Sequence, residues 1–355
     1  MKKSKGIILG LILNSLLLVS CQKNSNIIPL FLYTNDDAFI NELTNEIEAR
    51  FTDFNIETYY ASRSQLTQNR QISEVINQGD SKILLVNTVD RLASKSIVEK
   101  AKTMQIPVIF INREPLYEDI KDLDNVYYVG TNPTNEGELQ ASIVDDLFNG
   151  YTNFNYSRFD KNKNGKLDVV LIKGEQGHQD TEERSNASIN KLKELGYDVN
   201  LINTTFYDWS RNTAFNNFKS IYDYFLNEDG TTTIELVLSN NDDMALGIID
   251  YLLTLDSEII EDNTSETSEV ELPFYEKYFP IVGVDYTSDS KEYIINGYLY
   301  GTVKNEANVQ ADAIYKLTKR LINNEPLDDF EYEFTNDKFI RTNGEIVTIE
   351  NVDNF

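Results

Sequence analysis

The 355-residue sequence predicts an α/β fold built from two parallel sheets, and three observations support that class. Short apolar runs rich in β-branched residues recur along the chain, as expected for strands buried on both faces of a sheet. Stretches of helical periodicity separate these runs, which favours parallel pairing of the strands. We expect about nine strands after residue 20, a number that fits two sheets better than one.

The chain begins with a predicted export signal. Three lysines precede an apolar run from Gly6 to Ser20, which is too short to span a bilayer comfortably. The run ends in Leu-Val-Ser-Cys, a sequence similar to the signal box of bacterial lipoproteins, in which the cysteine is lipidated after cleavage. We therefore predict a signal peptide over residues 1–20, lipidation of Cys21 and a tether over residues 21–26. An ordinary secretory peptide is the alternative.

Seven apolar runs are predicted strands of the sheets: Ile27–Tyr33, Ile83–Val86, Val108–Ile111, Val126–Val129, Val169–Ile172, Leu236–Leu238 and Ile281–Val284. Two amphipathic stripes predict helices between strands. One stripe runs from Ala307 to Leu321, and the other runs from Ile189 to Leu195 before a capping Gly196. Acidic residues 256–274 are predicted to form a solvated surface insertion.

Composition excludes several functional classes. The chain has one Cys, one His and one Trp, so it cannot build a disulfide framework, a zinc site of Cys and His ligands or an iron–sulfur site. The net charge of −26 opposes nucleic acid and anionic lipid as partners. The sequence also lacks a nucleophile elbow and the glycine-rich phosphate loops, which excludes a catalytic triad of that type and the simple nucleotide enzymes.

Polar and aromatic residues follow the predicted strands. They are Asp36, Asp37, Phe39, Asn112, Arg113, His178, Asp180, Asn240, Asn241, Asp242, Asp285 and Asn305. A helix is expected to begin near Thr181, which places His178 and Asp180 in a loop and lets Arg184 project toward the same opening. Ligands of open α/β sheets bind at the carboxyl ends of the strands, and this inventory suits a neutral polyhydroxylated ligand. The alternative for each residue alone is an ordinary turn former, and for His178 a structural histidine.

A calcium loop is predicted at residues 160–168. Oxygen side chains stand at positions 1, 3, 5 and 9 of an EF-hand-like pattern, in Asp160, Asn162, Asn164 and Asp168, and Lys166 can offer its backbone carbonyl. Position 12 is Leu171 rather than a bidentate Glu, so a further carboxylate must come from elsewhere. Without one, an Asx-rich turn is the alternative.

Seven ordered blocks resemble the periplasmic galactose/glucose-binding proteins of bacterial ABC transport, a type I periplasmic binding protein family. The blocks are Tyr33–Phe39, Val108–Pro115, Tyr127–Thr131, Lys173–Arg184, Ser239–Gly247, Val282–Tyr286 and Gly301–Glu306. The resemblance implies that a hexose is held by Asp37, Asn112, His178, Asp180, Arg184, Asn241, Asp285 and Asn305 and stacks on Phe39 and Trp209. Tyr207 competes with Trp209 for the second stacking role. Glu235 is implied as the missing calcium ligand, although Asn164 and Asp168 depart from the family pattern.

The resemblance also implies the domain organisation. Two doubly wound parallel-sheet lobes are expected to be joined by a three-stranded hinge, with crossovers near 131–133, 305 and 339–343. The N-terminal lobe would comprise 27–131 plus 306–339. The C-terminal lobe would comprise 132–305 plus 340–355 and carry the calcium loop.

The function implied is that of a monomeric, lipid-anchored, extracytoplasmic binding protein that closes around glucose or galactose and delivers it to an ABC permease. It would have no enzymatic activity and no nucleic-acid partner, and it would be attached to the membrane through its lipid anchor alone. A sugar-sensing module read by a chemoreceptor or sensor kinase is the alternative, and a sugar-processing enzyme with paired carboxylates ranks below it. The implied fold would also allow a repressor core, but the chain begins with a predicted export signal rather than a DNA-binding helix-turn-helix, which excludes a repressor.

Overall fold

The computed structural model describes residues 27–262 and 272–355. The predicted signal peptide, the tether with Cys21 and residues 263–271 of the acidic insertion lie outside the described residues. Within the described part of the chain, no helix combines the length and apolar character that crossing a membrane requires.

The first sheet contains six strands. They are β1 (Ile27–Leu32), β2 (Asn55–Tyr60), β3 (Leu84–Val86), β4 (Val108–Ile111), β5 (Val126–Thr131) and, much later in the chain, β11 (Phe339–Thr342). Their spatial order is β11-β5-β4-β3-β1-β2, and every neighbouring pair is parallel.

The second sheet also has six strands. They are β6 (Leu167–Lys173), β7 (Val199–Phe206), β8 (Leu236–Ser239), β9 (Ile281–Asp285), β10 (Gly301–Lys304) and β12 (Glu345–Thr348). The order is β12-β10-β9-β8-β6-β7, and only the pair of β10 with β12 is antiparallel.

Within the described residues, twelve helices connect and cover the strands. They are α1 (Ala38–Arg50), α2 (Gln65–Gln78), α3 (Ser94–Thr103), α4 (Tyr117–Ile120), α5 (Pro133–Phe148), α6 (Tyr151–Phe154), α7 (Gln179–Glu194), α8 (Arg211–Tyr224), α9 (Asp242–Asp262), α10 (Phe274–Lys277), α11 (Ser290–Ile295) and α12 (Ala307–Asn323). The predicted stripe of Ala307–Leu321 is the buried face of α12, and Gly196 follows α7 in the left-handed region at a φ of 98°.

Each sheet is covered on both faces, because successive strand residues enter opposite hydrophobic clusters. Leu30 and Phe31 of β1 are fully buried in two different clusters, and Val169 and Val170 of β6 behave in the same way. This double burial explains why the strands appear in the sequence as continuous apolar runs rather than alternating patterns. The predicted class of two α/β lobes with parallel sheets is confirmed.

Residues 27–262 and 272–355 contain twelve strands, where about nine were expected. The strands without a predicted apolar run include β2, β7, β11 and β12, and these four are the edges of the two sheets. The exposure pattern of β2 and β7 is mixed along their whole length. A partly solvated edge strand accepts polar residues, so it lacks the continuous apolar run that marks a central strand.

The chain passes between the sheets at three places. It crosses from β5 to α5, from β10 to α12, and from β11 to β12. The boundary expected at residues 339/340 falls inside β11, because Thr342 still pairs with Thr131 in the first sheet. The last crossing therefore lies at residues 343–344, where Asn132 donates through its Nδ2 to Asn343 at 3.0 Å and ties two crossings together.

Candidate ligand-binding site between the lobes

One cavity between the lobes brings together all the residues that were predicted to hold a hexose. Its lining comprises Tyr33, Asp37, Phe39, Asn112 and Arg113 from the first lobe and His178, Asp180, Arg184, Trp209, Asn241, Asp285 and Asn305 from the second. The space that protein atoms leave among these side chains is about 350 Å³, a figure that includes space open to solvent. The contribution of each residue to sugar binding stays a prediction.

Helix starts position three of these side chains. Asp37 caps α1, and its Oδ1 accepts the Ile40 N–H at 2.9 Å. Asn241 precedes α9 and accepts the Met244 N–H at 3.0 Å, while His178 caps α7. Because each cap follows a strand at the carboxyl edge of its sheet, the same turn that starts the helix presents a polar group to the cleft.

The start of α7 differs from the expectation. The helix begins at Gln179 rather than near Thr181, so Asp180 stands in its first turn and not in a loop. The reason is the cap itself, because the unprotonated Nδ1 of His178 accepts the Asp180 N–H at 3.2 Å. This bond leaves the proton of the neutral ring on Nε2. Burial and the nearby arginines Arg113, Arg184 and Arg91 hold the pKa of His178 well below its usual range, which keeps the ring neutral.

The carboxylates on the second-lobe side of the cavity are deeply buried. Burial raises the pKa of Asp180 to about 7 although the Arg184 guanidinium opposes the shift. Burial likewise raises the pKa of Asp285 well above its usual range. Asp180 Oδ1 is buried without a hydrogen-bond partner among the described residues. An unsatisfied buried oxygen that lines a cavity is a position for a ligand hydroxyl.

Two aromatic side chains lie on opposite lobes of the cavity. Phe39 is buried on α1, and Trp209 meets the His178 ring edge-on, with ring centroids 5.2 Å apart. The Trp209 ring occupies space that a side chain at Gly174 would fill, because a Cβ there would stand 2.2 Å from the ring. Tyr207, the competing candidate for the stacking role, packs into the second-lobe core and does not line the cavity.

Sequence reasoning missed the link between the lobes at the cavity wall. The Arg113 guanidinium lies over the Tyr33 ring at 3.8 Å, and its Nη2 donates to Glu175 of the second lobe at 2.7 Å. The Tyr33 hydroxyl donates to Asp37 Oδ2 at 2.5 Å. Arg113 stood in the sequence directly after Asn112, but no local pattern reveals a partner 62 residues away.

The predicted calcium loop gathers oxygen side chains on the second lobe. Asp160, Asp168 and Glu235 are buried, and Glu235 accepts the backbone N–H groups of Lys161 at 2.6 Å and Asp168 at 2.9 Å. Asn162 donates through its Nδ2 to Asp168 at 2.6 Å. Burial and the nearby charges of Asp168 and Asp160 raise the pKa of Glu235 to about 8, although two backbone bonds to its carboxylate oppose the shift.

The loop fits a hard cation by its donor chemistry. Asp160 Oδ1 is buried with no partner among the described residues. Across residues 27–262 and 272–355, no three His, Cys, Asp or Glu side chains are grouped as a metal site. The Asn162 and Asn164 amides and the Lys166 carbonyl would therefore have to complete the six to eight oxygens that calcium takes.

Comparisons with known proteins agree with this architecture. The D-galactose/methyl-galactoside binding periplasmic protein MglB of Haemophilus influenzae is 30% identical over 299 residues, which cover 83% of this chain and 81% of that protein. An ABC transporter solute binding protein from Bacillus halodurans, solved with myo-inositol, has a TM-score of 0.71 at 20% identity and covers 93% of this chain and 96% of its own. A periplasmic solute binding protein from Actinobacillus succinogenes, solved with D-allose, has a TM-score of 0.71 at 18% identity and covers 93% and 99%.

At these identities the two solved structures show the fold alone. The family is shown by the sequence, because residues 28–326 match the family model described as a periplasmic binding protein domain. This match includes strands of both sheets and the first two of the three crossings between the lobes. The chain belongs to the periplasmic binding protein domain family.

Proposed function

We propose that this chain binds glucose or galactose outside the cytoplasm, closes around the sugar and delivers it to an ABC permease. The observation that carries the proposal is that one cavity between the lobes is lined by all ten residues predicted to hold and cover a hexose. The relative from Haemophilus influenzae is named for D-galactose, and the two solved neighbours hold myo-inositol and D-allose. All three ligands are neutral and polyhydroxylated, as the proposal requires.

The charge balance of the cavity favours a neutral ligand over an anion. The two cations that line it are already paired. Arg113 lies 2.7 Å from a carboxylate oxygen of Glu175, and Arg184 lies 2.5 Å from one of Glu136. The carboxyl groups of Asp37, Asp180 and Asp285 remain to accept hydroxyl protons. An anionic ligand would meet these acids without a free cation to offset them.

Roles follow from the donors and acceptors present. The His178 Nε2–H donates to a sugar oxygen, because Nδ1 is occupied by the helix cap. The carboxyl group of Asp37 has one oxygen on the Ile40 N–H and the other on the Tyr33 hydroxyl, so one lone pair of each stays available. These two acceptors can serve either epimeric hydroxyl, which would permit binding of both glucose and galactose. Phe39 and Trp209 cover the apolar faces of the ring.

Closure follows from the division of these contacts between the lobes. A sugar that touches Asp37 and Asn112 on one side and His178, Asp180 and Asp285 on the other makes its full set of contacts only when the lobes are together. That difference in affinity shifts the population toward the closed form, which is the form that we expect a permease to receive.

Substituting Asp37 tests the proposed cavity. We expect Asp37→Ala to weaken hexose binding by about 1–3 kcal/mol, because sugar hydroxyls lose their acceptor in a closed site. Asp36→Ala is the matched control, since Asp36 is exposed and does not line this cavity. Titration calorimetry of both variants with glucose and galactose makes the comparison. Unchanged affinity in Asp37→Ala would place the sugar elsewhere.

We also propose that calcium occupies the loop of residues 160–168. Asp160, Asn162, Asn164, the Lys166 carbonyl, Asp168 and Glu235 would hold the ion. The unpartnered Asp160 oxygen supports this assignment. The ion would supply positive charge to three buried carboxylates, and its binding would add to the stability of the second lobe.

Anchoring of the protein by a lipid on Cys21 is a further part of the proposal. It rests on the sequence of residues 1–21, which combines basic residues, an apolar run and a terminal cysteine. We expect Cys21→Ala to release the protein from the membrane fraction of cells that express it. A membrane association that survives this substitution would count against lipidation.

A further inference from the structure

Glu136 is a fully buried acid that stands beside the cavity without lining it. It lies in the first turn of α5, which begins one residue after the crossing from the first lobe. A buried carboxylate is costly unless it is paired and hydrogen-bonded, so its partners indicate what it does.

The partners of Glu136 join the two lobes. Oε2 accepts two bonds from Arg184 of the second lobe, from Nε at 2.9 Å and from Nη2 at 2.5 Å. Oε1 accepts the hydroxyl of Thr131, the last residue of β5 in the first lobe. One carboxylate therefore connects the end of a first-lobe strand to a cavity residue of the second lobe.

Arg184 depends on these contacts for its position. Its guanidinium is buried, and beyond Glu136 it donates through Nη1 to the Asn240 carbonyl. The next carboxylate, Asp180 Oδ2, stands 3.9 Å from Nη2, beyond hydrogen-bond distance. Glu136 is thus the carboxylate that pairs with the buried guanidinium, and the same guanidinium lines the cavity. Asp180 stays available for a ligand as a consequence.

We propose that Glu136 is a positioning residue for ligand binding, which orients Arg184 and links it through Thr131 to the first crossing between the lobes. The inference rests on the function proposed above. Glu136 acts through Arg184 and touches no ligand itself. Loss of the carboxylate frees the guanidinium to turn toward Asp180, so two cavity residues are displaced by one distant substitution.

The test measures hexose affinity by titration calorimetry in Glu136→Gln, which keeps the shape of the side chain and removes its charge. We expect affinity to fall about tenfold, the equivalent of one charge-assisted hydrogen bond. Thr131→Val should give a smaller loss, because it removes only the first-lobe half of the link. Asp145→Asn is the matched control. Asp145 also lies on α5 and accepts a side-chain bond, from Tyr197 at 2.8 Å, but it is remote from the cavity.

A double substitution separates positioning from a purely structural role. In an Arg184→Lys background, Glu136→Gln should cost less than about twofold, because the guanidinium that it orients is already gone. An equal tenfold loss in both backgrounds would overturn the inference, and so would wild-type affinity in Glu136→Gln alone. If wild-type protein binds neither glucose nor galactose, the proposed function fails and this inference fails with it. Tight binding by both wild type and Glu136→Gln overturns the inference alone.

Discussion

Gly174→Ala should displace the proposed stacking ring without touching the ligand directly. A Cβ at this position would stand 2.2 Å from two atoms of the Trp209 ring, whereas ordinary van der Waals contact begins at 3.4 Å. The ring must therefore move by about 1.2 Å, the difference between these two distances. If the move uncovers about 60 Å² of apolar surface that the sugar had covered, affinity falls by about 1.5 kcal/mol, slightly more than tenfold. Overpacking should also lower stability by about 1–3 kcal/mol.

The assay uses Trp209 itself, because it is the sole tryptophan of the chain. Ligand titrations followed by tryptophan emission report both affinity and the environment of the ring. Gly301→Ala is the matched control, since its Cβ would stand 3.1 Å from Ile143, Thr348 and the Val347 carbonyl, none of which lines the cavity. It should lose stability and keep affinity. Wild-type affinity and unchanged emission in Gly174→Ala would refute the assignment of the ring to the binding site.

Three further predictions concern calcium, pH and the link between the lobes. A strong calcium chelator should lower the melting temperature, because the unfolded chain has no formed site, and an unchanged melting curve would argue against calcium. Burial raises the pKa of Asp180 and of Asp242 to about 7, against about 4 when unfolded. The folded state thus holds protons that the unfolded state has released, and the free energy of unfolding should fall as pH rises from about 5 to about 8. The depressed pKa of His178 acts in the opposite direction, but it is one group against two. A melting temperature of the sugar-free protein that rises between about pH 5 and pH 8 would therefore contradict the prediction. Glu175→Gln removes the 2.7 Å ion pair with Arg113 and should weaken hexose binding about two- to tenfold in calorimetry. Equal affinity would show that the pair does not favour closure.

The central strands and the polar groups at their ends were predictable from local signals, whereas the assignment of Trp209 and of the full hexose-binding set came from resemblance to a known family. A strand buried on both faces is a continuous apolar run, and the groups that follow it stand at the carboxyl edge of the sheet. The edge strand β2 carries no such signal, since Asn55–Tyr60 alternates between exposed and half-buried residues.

Contacts between distant parts of the chain were not predictable in the same way. Glu136 looks like an ordinary first-turn acid in the sequence, yet in the fold it is fully buried against Arg184, 48 residues later. Tyr33 ends an apolar run, which predicts a core residue, but its hydroxyl donates a hydrogen bond to Asp37 at the cavity wall. Such roles depend on which strand ends the topology brings together, and a single sequence does not encode that information locally.

The central claim is that the cavity between the lobes binds glucose or galactose, and titration calorimetry on the wild-type protein tests it most directly. A panel of hexoses and pentoses should yield one site per chain for glucose, galactose or both, with weaker binding of pentoses. Absence of binding by both glucose and galactose would contradict the account.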